Sequence, residues 1–159
     1  MLRAGKIAAS GADATCTLTY EERFLRRRVL KTDAGEEFLV DLPRTTSLDA
    51  GQAFVLSDGR HVSVRAADEP LIEITSNDLL RLVWHIGNRH CPAQIEASRV
   101  LVQPDHVIRD LMEKLGANLR DVVEPFTPEG GAYGHGRTHG HDHSHEHGHD
   151  HGHSHSHAH

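Results

Sequence analysis

The apolar positions alternate in the first half of the chain and take a helical period in the second. Residues 25–32 run from Leu25 through long and β-branched side chains to Thr32, and Asp33-Ala34-Gly35 follows as a short hairpin loop. Phe38, Val40 and Leu42 then fall on one face of a second strand, residues 36–42, which Pro43 is expected to end. Residues 53–56 and 61–66 flank Ser57-Asp58-Gly59-Arg60, a second hairpin signal. Nothing in this half has a helical period, so residues 1–68 read as a small β-rich domain.

The pattern changes after Asp68-Glu69-Pro70, because Pro70 cannot continue a ladder. Residues 71–75 form a short strand, and Thr75-x-x-Asp78 resembles a capping box. Leu79, Leu82, Val83 and Ile86 recur at i, i+3, i+4 and i+7, one face of a helix for which Gly87-Asn88 is the expected C-cap. Two short strands follow at residues 93–97 and 99–103. Asp105 can cap a second helix with Val107, Ile108, Leu111, Met112 and Leu115 on one side, closed by Gly116. Residues 119–126 are the last strand. The order β-α-β-β-α-β over residues 69–126 is the ferredoxin-like arrangement, so the fold class is α+β.

From Thr127 onward the apolar pattern collapses into Gly, Ser, Asp and His. Such a segment cannot bury enough apolar surface to offset its ordering entropy, so residues 127–159 read as a flexible tail. Of the 16 His in the 159 residues, 12 lie at or after His135. Their presence depresses the overall apolar content to 37% and leaves aromatics at 4%, so the averages understate the two folded parts.

Composition also excludes classes. No run of 18 apolar residues exists to span a membrane, and the N-terminus is too weakly apolar for a signal peptide. A net charge of −6 argues against nucleic acid as a partner. Arg26-Arg27-Arg28, within a strand, is expected to alternate faces. Two Cys, Cys16 and Cys91, make neither a disulfide framework nor a four-Cys zinc site. A cytoplasmic protein is the default. No HExxH, Gly-rich phosphate loop or GxSxG motif occurs, so nothing points to catalysis.

Metal binding has positive evidence. Neutral imidazole is a common ligand for Ni, Cu and Zn, and alternating His-x-His puts several rings within reach of one ion. His139, His141 and His143 are such a run, with Asp142, Glu146 and Asp150 adding favourable charge. An affinity tag is the alternative, although tags are usually uniform His runs. In the folded part, His85 and His90 would lie about 140° apart if the first helix continued, a poor pair for one ion. His90 is expected on a loop at the helix end. A two-fold dimer would duplicate it and let two copies meet on the axis. From spacing alone, an ordinary surface His at a capped helix end is the simpler reading. Asp105 beside His106 suits ligation, but a helix cap with a solvated His is again simpler. His61, next to a hairpin turn, reads as structural or surface. Cys91 is either a soft ligand or a small packed residue.

Particular runs resemble a known family over nearly the whole chain. They are Leu18-Thr19-Tyr20-Glu21-Glu22-Arg23, Leu42-Pro43-Arg44, Asp58-Gly59 leading into Val62-Ser63-Val64, His85-Ile86-Gly87-Asn88-Arg89-His90 with Pro92 and Gln94, Asp105-His106-Val107, and Pro128-Glu129-Gly130-Gly131-Ala132-Tyr133 before a His-rich end. The chain resembles the urease accessory nickel metallochaperones. The resemblance implies a homodimer formed through the second domain, with His90 of each protomer binding nickel at the interface. It implies a partner- or peptide-binding first domain, and delivery of Ni²⁺ to the urease apoprotein with the accessory GTPase. It makes His135 the best tail residue to fold back onto the His90 pair. Asp105 and His106 match a region of additional surface ligands in some members, which often carry His where this chain has Pro104. Zn²⁺ or Cu²⁺ is expected to bind the same sites, since Cu²⁺ outranks Ni²⁺ at most nitrogen sites. Two other readings stay open: a His-rich metal buffer without a delivery partner, and a metalloenzyme using His90, which lacks a general-base motif.

Overall fold

The protein is described here as a computed structural model that covers residues 1–130. Six strands build the first sheet: β1 (Leu2–Ala8), β2 (Ala14–Leu18), β3 (Phe24–Lys31), β4 (Glu37–Ser47), β5 (Ala53–Leu56) and β6 (His61–Ala66). Their order is β2-β6-β5-β1-β4-β3, with β1–β4 and β2–β6 parallel and the other pairs antiparallel. Phe38, Val40 and Leu42 share a core with Leu30, Phe54, Val62 and Val64, as the alternation predicts. Both hairpins form, with Gly35 and Gly59 at φ +93° and +90°, where a Cβ would be strained.

Three expectations fail in this half. β1 and β2 lie where no strand was expected. Their sequence is rich in Gly, Ala and Thr, although Ala4 is fully buried. Pro43 does not end β4, which continues to Ser47. The β3–β4 register breaks between Arg27↔Asp41 and Leu25↔Thr46, and pairing with β1 stops at Val40. Pro43 therefore sits in an irregular stretch where no ladder hydrogen bond is demanded of it. The same irregularity leaves Arg26, Arg27 and Arg28 all exposed instead of alternating.

The second sheet has the order β10-β7-β9-β8, all antiparallel, from β7 (Asp68–Thr75), β8 (Ala93–Ile95), β9 (Val100–Val102) and β10 (Asn118–Pro125). With α1 (Leu79–Asn88) and α2 (His106–Lys114) the element order is βαββαβ, a ferredoxin-like fold. Ile72, Ile74, Val100 and Val102 face the helices and pack on Leu82, Ile86, Ile108 and Met112. The opposite face carries Leu71 and Leu101, covered by Phe126 and Tyr20. No helix among the described residues is long and apolar enough to cross a membrane.

Pro70 does not stop β7: it pairs with Val123, beyond the point where pairing with β9 ends at Ile72↔Val102. The capping box at Thr75 is absent. Asp78 is the N-cap, makes no side-chain cap bond, and pairs with Arg81 at 2.9 Å. Asp105 does cap α2 as expected, its carboxylate accepting from the Val107 and Ile108 N–H groups at 2.7 and 3.2 Å. Of the apolar positions expected inward on α2, Ile108 and Met112 are buried and Leu111 packs on the core, while Val107 and Leu115 are exposed.

Candidate metal centre at the end of the first helix

α1 runs through Gly87-Asn88, which were expected to cap it. Asn88 is its last residue, Arg89 is the C-cap, and His90 takes the left-handed conformation with φ +58°. The His90 N–H donates to the Gly87 carbonyl at 3.0 Å, and the Cys91 N–H reaches the Ile86 carbonyl at 3.4 Å. These two bonds are a Schellman motif, in which the left-handed position is ordinarily glycine. His90 is the one non-glycine residue with positive φ among the described residues, and it is exposed. A Cβ there costs about 1 kcal/mol relative to glycine. The fold thus holds an imidazole at the turn in solvent, in a conformation it would not choose for stability.

His85 lies one turn earlier. It is half-buried, its ring edge-on to Trp84 at 5.0 Å. Cys91 packs against the core under α1. Burial, and then the nearby Asp105 carboxylate, push its thiol pKa up, with Arg89 opposing. It therefore stays protonated at neutral pH and is a poor ligand as it stands. Cys91 and Asp105 line the same pocket, with Pro92, Pro104 and Ile108. His106 is exposed as the first residue of α2, and the oxygen of Asp105 that caps the helix is already engaged. Among the described residues no three His, Cys, Asp or Glu side chains gather closely enough to hold an ion. The structure brings Cys91 and Asp105 together and, among the described residues, joins neither His90 nor His106 to them in a ligand set. His135, His139, His141 and His143 lie outside the described residues. His61 is structural as expected: its ring Nδ1 meets the Ser10 carbonyl at 3.1 Å and its N–H bonds Asp13 at 2.8 Å.

Two features escaped the sequence reading. Leu80 and Trp84 stand at i and i+4 on the outer face of α1, 87% and 64% exposed. Their spacing was available in the sequence as a second apolar line beside the buried stripe. The other feature is the path of the chain after β10. Phe126 is buried over the open face of the sheet. Thr127 then donates its N–H to the Gln94 side-chain oxygen at 2.9 Å, and Glu129 donates its N–H to the Ala93 carbonyl at 2.8 Å. The C-terminal segment therefore leaves the fold along the edge strand β8, three residues from His90. This contact joins positions far apart in sequence, and no local pattern signals it.

Residues 2–67 match the UreE urease accessory protein N-terminal domain, and residues 69–159 match the C-terminal domain of the same family. The chain is 63% identical over 129 residues to a protein of Ruegeria pomeroyi named urease accessory protein UreE, covering 81% of this chain and 87% of that one. It is 57% identical to the protein of that name from Cereibacter sphaeroides, over 81% of this chain and 71% of the relative. The Paracoccus denitrificans protein, also so named, is 54% identical over 79% of this chain and 80% of its own. All three are named as accessories to an enzyme and not as enzymes themselves. With both halves matched and relatives this similar, the chain belongs to the UreE family of urease accessory proteins.

Proposed function

We propose that the protein is a nickel metallochaperone: it collects Ni²⁺ on its His-rich tail, holds it at His90, and surrenders it for assembly of the urease active site. The observation that carries this reading is the left-handed conformation of His90. An exposed, strained residue is retained where glycine would be more stable, and such strain accumulates where a side chain has work to do. One imidazole is a weak ligand set, so the site needs a second contributor. The exposed Leu80–Trp84 pair on the same helix fits a homodimer in which two α1 helices meet and bring two His90 side chains to a shared axis.

The tail is the other contributor. Its start is pinned at Ala93, and three residues span at most about 11 Å, so it emerges beside His90. His135, six residues past Glu129, ranges no further than about 21 Å from it. Tethering at that distance raises the local concentration of imidazole. Of the other proposed ligands, His139, His141 and His143 take up ions first, and Asp105 with His106 offers a weaker surface site. Zn²⁺ and Cu²⁺ compete for the same nitrogens. The first domain, residues 1–68, serves the partner proteins, which are the accessory GTPase and the urease apoprotein complex. Residues 69–126 dimerise and hold the metal, and the work is done in the cytoplasm.

The test is equilibrium dialysis with Ni²⁺ followed by urease activation. His90→Ala should lose one tight ion per dimer and fail to support activation, while His85→Ala does neither. Retention of the tight ion in His90→Ala would overturn the assignment of the site. Loss of the ion with activation intact would instead mark a buffer that is not on the delivery route.

A further inference from the structure

The reading above needs the tail to act on His90, and the fold carries a device suited to that task. Gln94 lies on β8 opposite Leu101, on the open face of the sheet. Its side-chain oxygen accepts from the Thr127 N–H at 2.9 Å and faces the Thr127 hydroxyl at 3.4 Å. Its side-chain nitrogen donates to Glu96 at 3.1 Å, and Glu96 is in turn held by Arg99 at 3.1 Å. These contacts fix the orientation of the amide, leaving its oxygen toward the departing chain. Two residues on, the Glu129 N–H closes on the Ala93 carbonyl. Pro128, between them, locks φ and holds Thr127 extended.

We propose that Gln94, with the Glu129–Ala93 bond, is an anchor that sets where the metal-collecting tail begins, and that Gln94 is a positioning residue for passage of the ion to His90. It touches no metal. If the anchor opens, the last fixed point of the chain retreats to buried Phe126. The tether to His135 then lengthens from six residues to nine. The effective concentration of tail imidazole at His90 falls with it, by about twofold.

The experiment uses the full chain. Gln94→Met keeps the shape and deletes the acceptor, whereas Gln94→Glu keeps an acceptor oxygen. Glu129→Pro deletes the N–H that reaches Ala93. Each is made in the natural chain and in a full-length chain whose 12 tail histidines are replaced by Asn. Ni²⁺ affinity of the tight site is measured by competition with a chelator, and thermal melting reports on folding. Gln94→Met and Glu129→Pro should weaken the tight site about twofold in the natural chain and leave the Asn-tail chain unchanged, while Gln94→Glu stays near the parent. Equal weakening in both backgrounds, or none in either, overturns the anchor. If the Asn-tail chain without further change binds as tightly as the parent, the tail does not complete the site. The anchor then falls together with the tail's part in the proposed function, whatever the Gln94 variants do.

Discussion

Arg23 of the first domain donates a hydrogen bond to the backbone carbonyl of Phe126, 103 positions away at the end of the last strand. The guanidinium is 2% exposed and also serves the Leu18 carbonyl at 3.0 Å. Tyr20 stacks edge-on against Phe126 at 5.3 Å and donates its N–H to the buried Glu69 carboxylate at 2.8 Å. The two sheets are thus joined by a polar latch around an aromatic plug. Arg23→Ala should destabilise the protein by about 2–3 kcal/mol, because it leaves buried carbonyls unserved. Chemical denaturation checks the figure. The loss should exceed that of Arg44→Ala, an exposed control on β4.

Glycine and alanine at position 90 should part company. Both remove the imidazole, so both should abolish the tight nickel site. Only glycine relieves the left-handed strain, so His90→Gly should be more stable than His90→Ala by about 1 kcal/mol. Paired thermal melts measure the difference. Equal stabilities would mean that φ at this turn is not strained in solution.

Trp84→Glu should yield a folded monomer. The side chain is exposed within one protomer, so its replacement removes no core packing. A charge on an apolar helix face does oppose pairing of two copies. Analytical ultracentrifugation should show the mass halve while the far-UV circular dichroism is kept. The tight nickel site should be lost with the dimer.

Acid should weaken the second sheet in a defined window. Arg99 bonds Glu124 through both nitrogens at 2.7 Å and Glu73 at 2.9 Å. Hydrogen bonds from Arg99, with Arg120 also on Glu73, hold both carboxyls below the usual carboxylate range. The folded state therefore binds fewer protons than the unfolded chain near pH 4. Stability from these groups is fully present above the ordinary glutamate pKa of about 4.3 and is lost as pH falls through the depressed values. Melting temperature should hold from pH 7 to about pH 5 and then drop, and Arg99→Met should flatten the drop.

The parts of the fold that were legible in the sequence are those set by local period or by a single cap. The Leu79–Ile86 stripe, the Asp105 cap and the Asp58-Gly59 hairpin each follow from a few adjacent residues. Phe38, Val40 and Leu42 announce a buried strand face. β1 and β2 stayed hidden because their buried positions include Ala4 and Cys16, and such small residues carry little strand signal. The ends given to β4 and β7 by Pro43 and Pro70 were wrong for a shared reason. Proline interrupts a ladder only where a neighbouring strand asks for its N–H, and that depends on partners elsewhere in the chain. At the candidate site, His90 was visible as a residue at a turn, but its left-handed backbone was not, since Gly87 offered an easier helix stop. The Gln94 and Arg23 contacts join positions far apart in sequence, so only the assembled fold displays them.

Both thiols of the chain are kept in their unreactive form. Cys16 is buried, and burial, with Asp33 and Glu22 adding to it, pushes its pKa up to about 12. Cys91, one residue from His90, is shifted the same way. Only a thiolate attacks a disulfide or yields readily to peroxide. Two Cys91 side chains brought toward a common axis would therefore resist becoming covalently cross-linked. Under the proposed function, an ion could be taken up and released at His90 through many cycles without an oxidative scar on the neighbouring thiol.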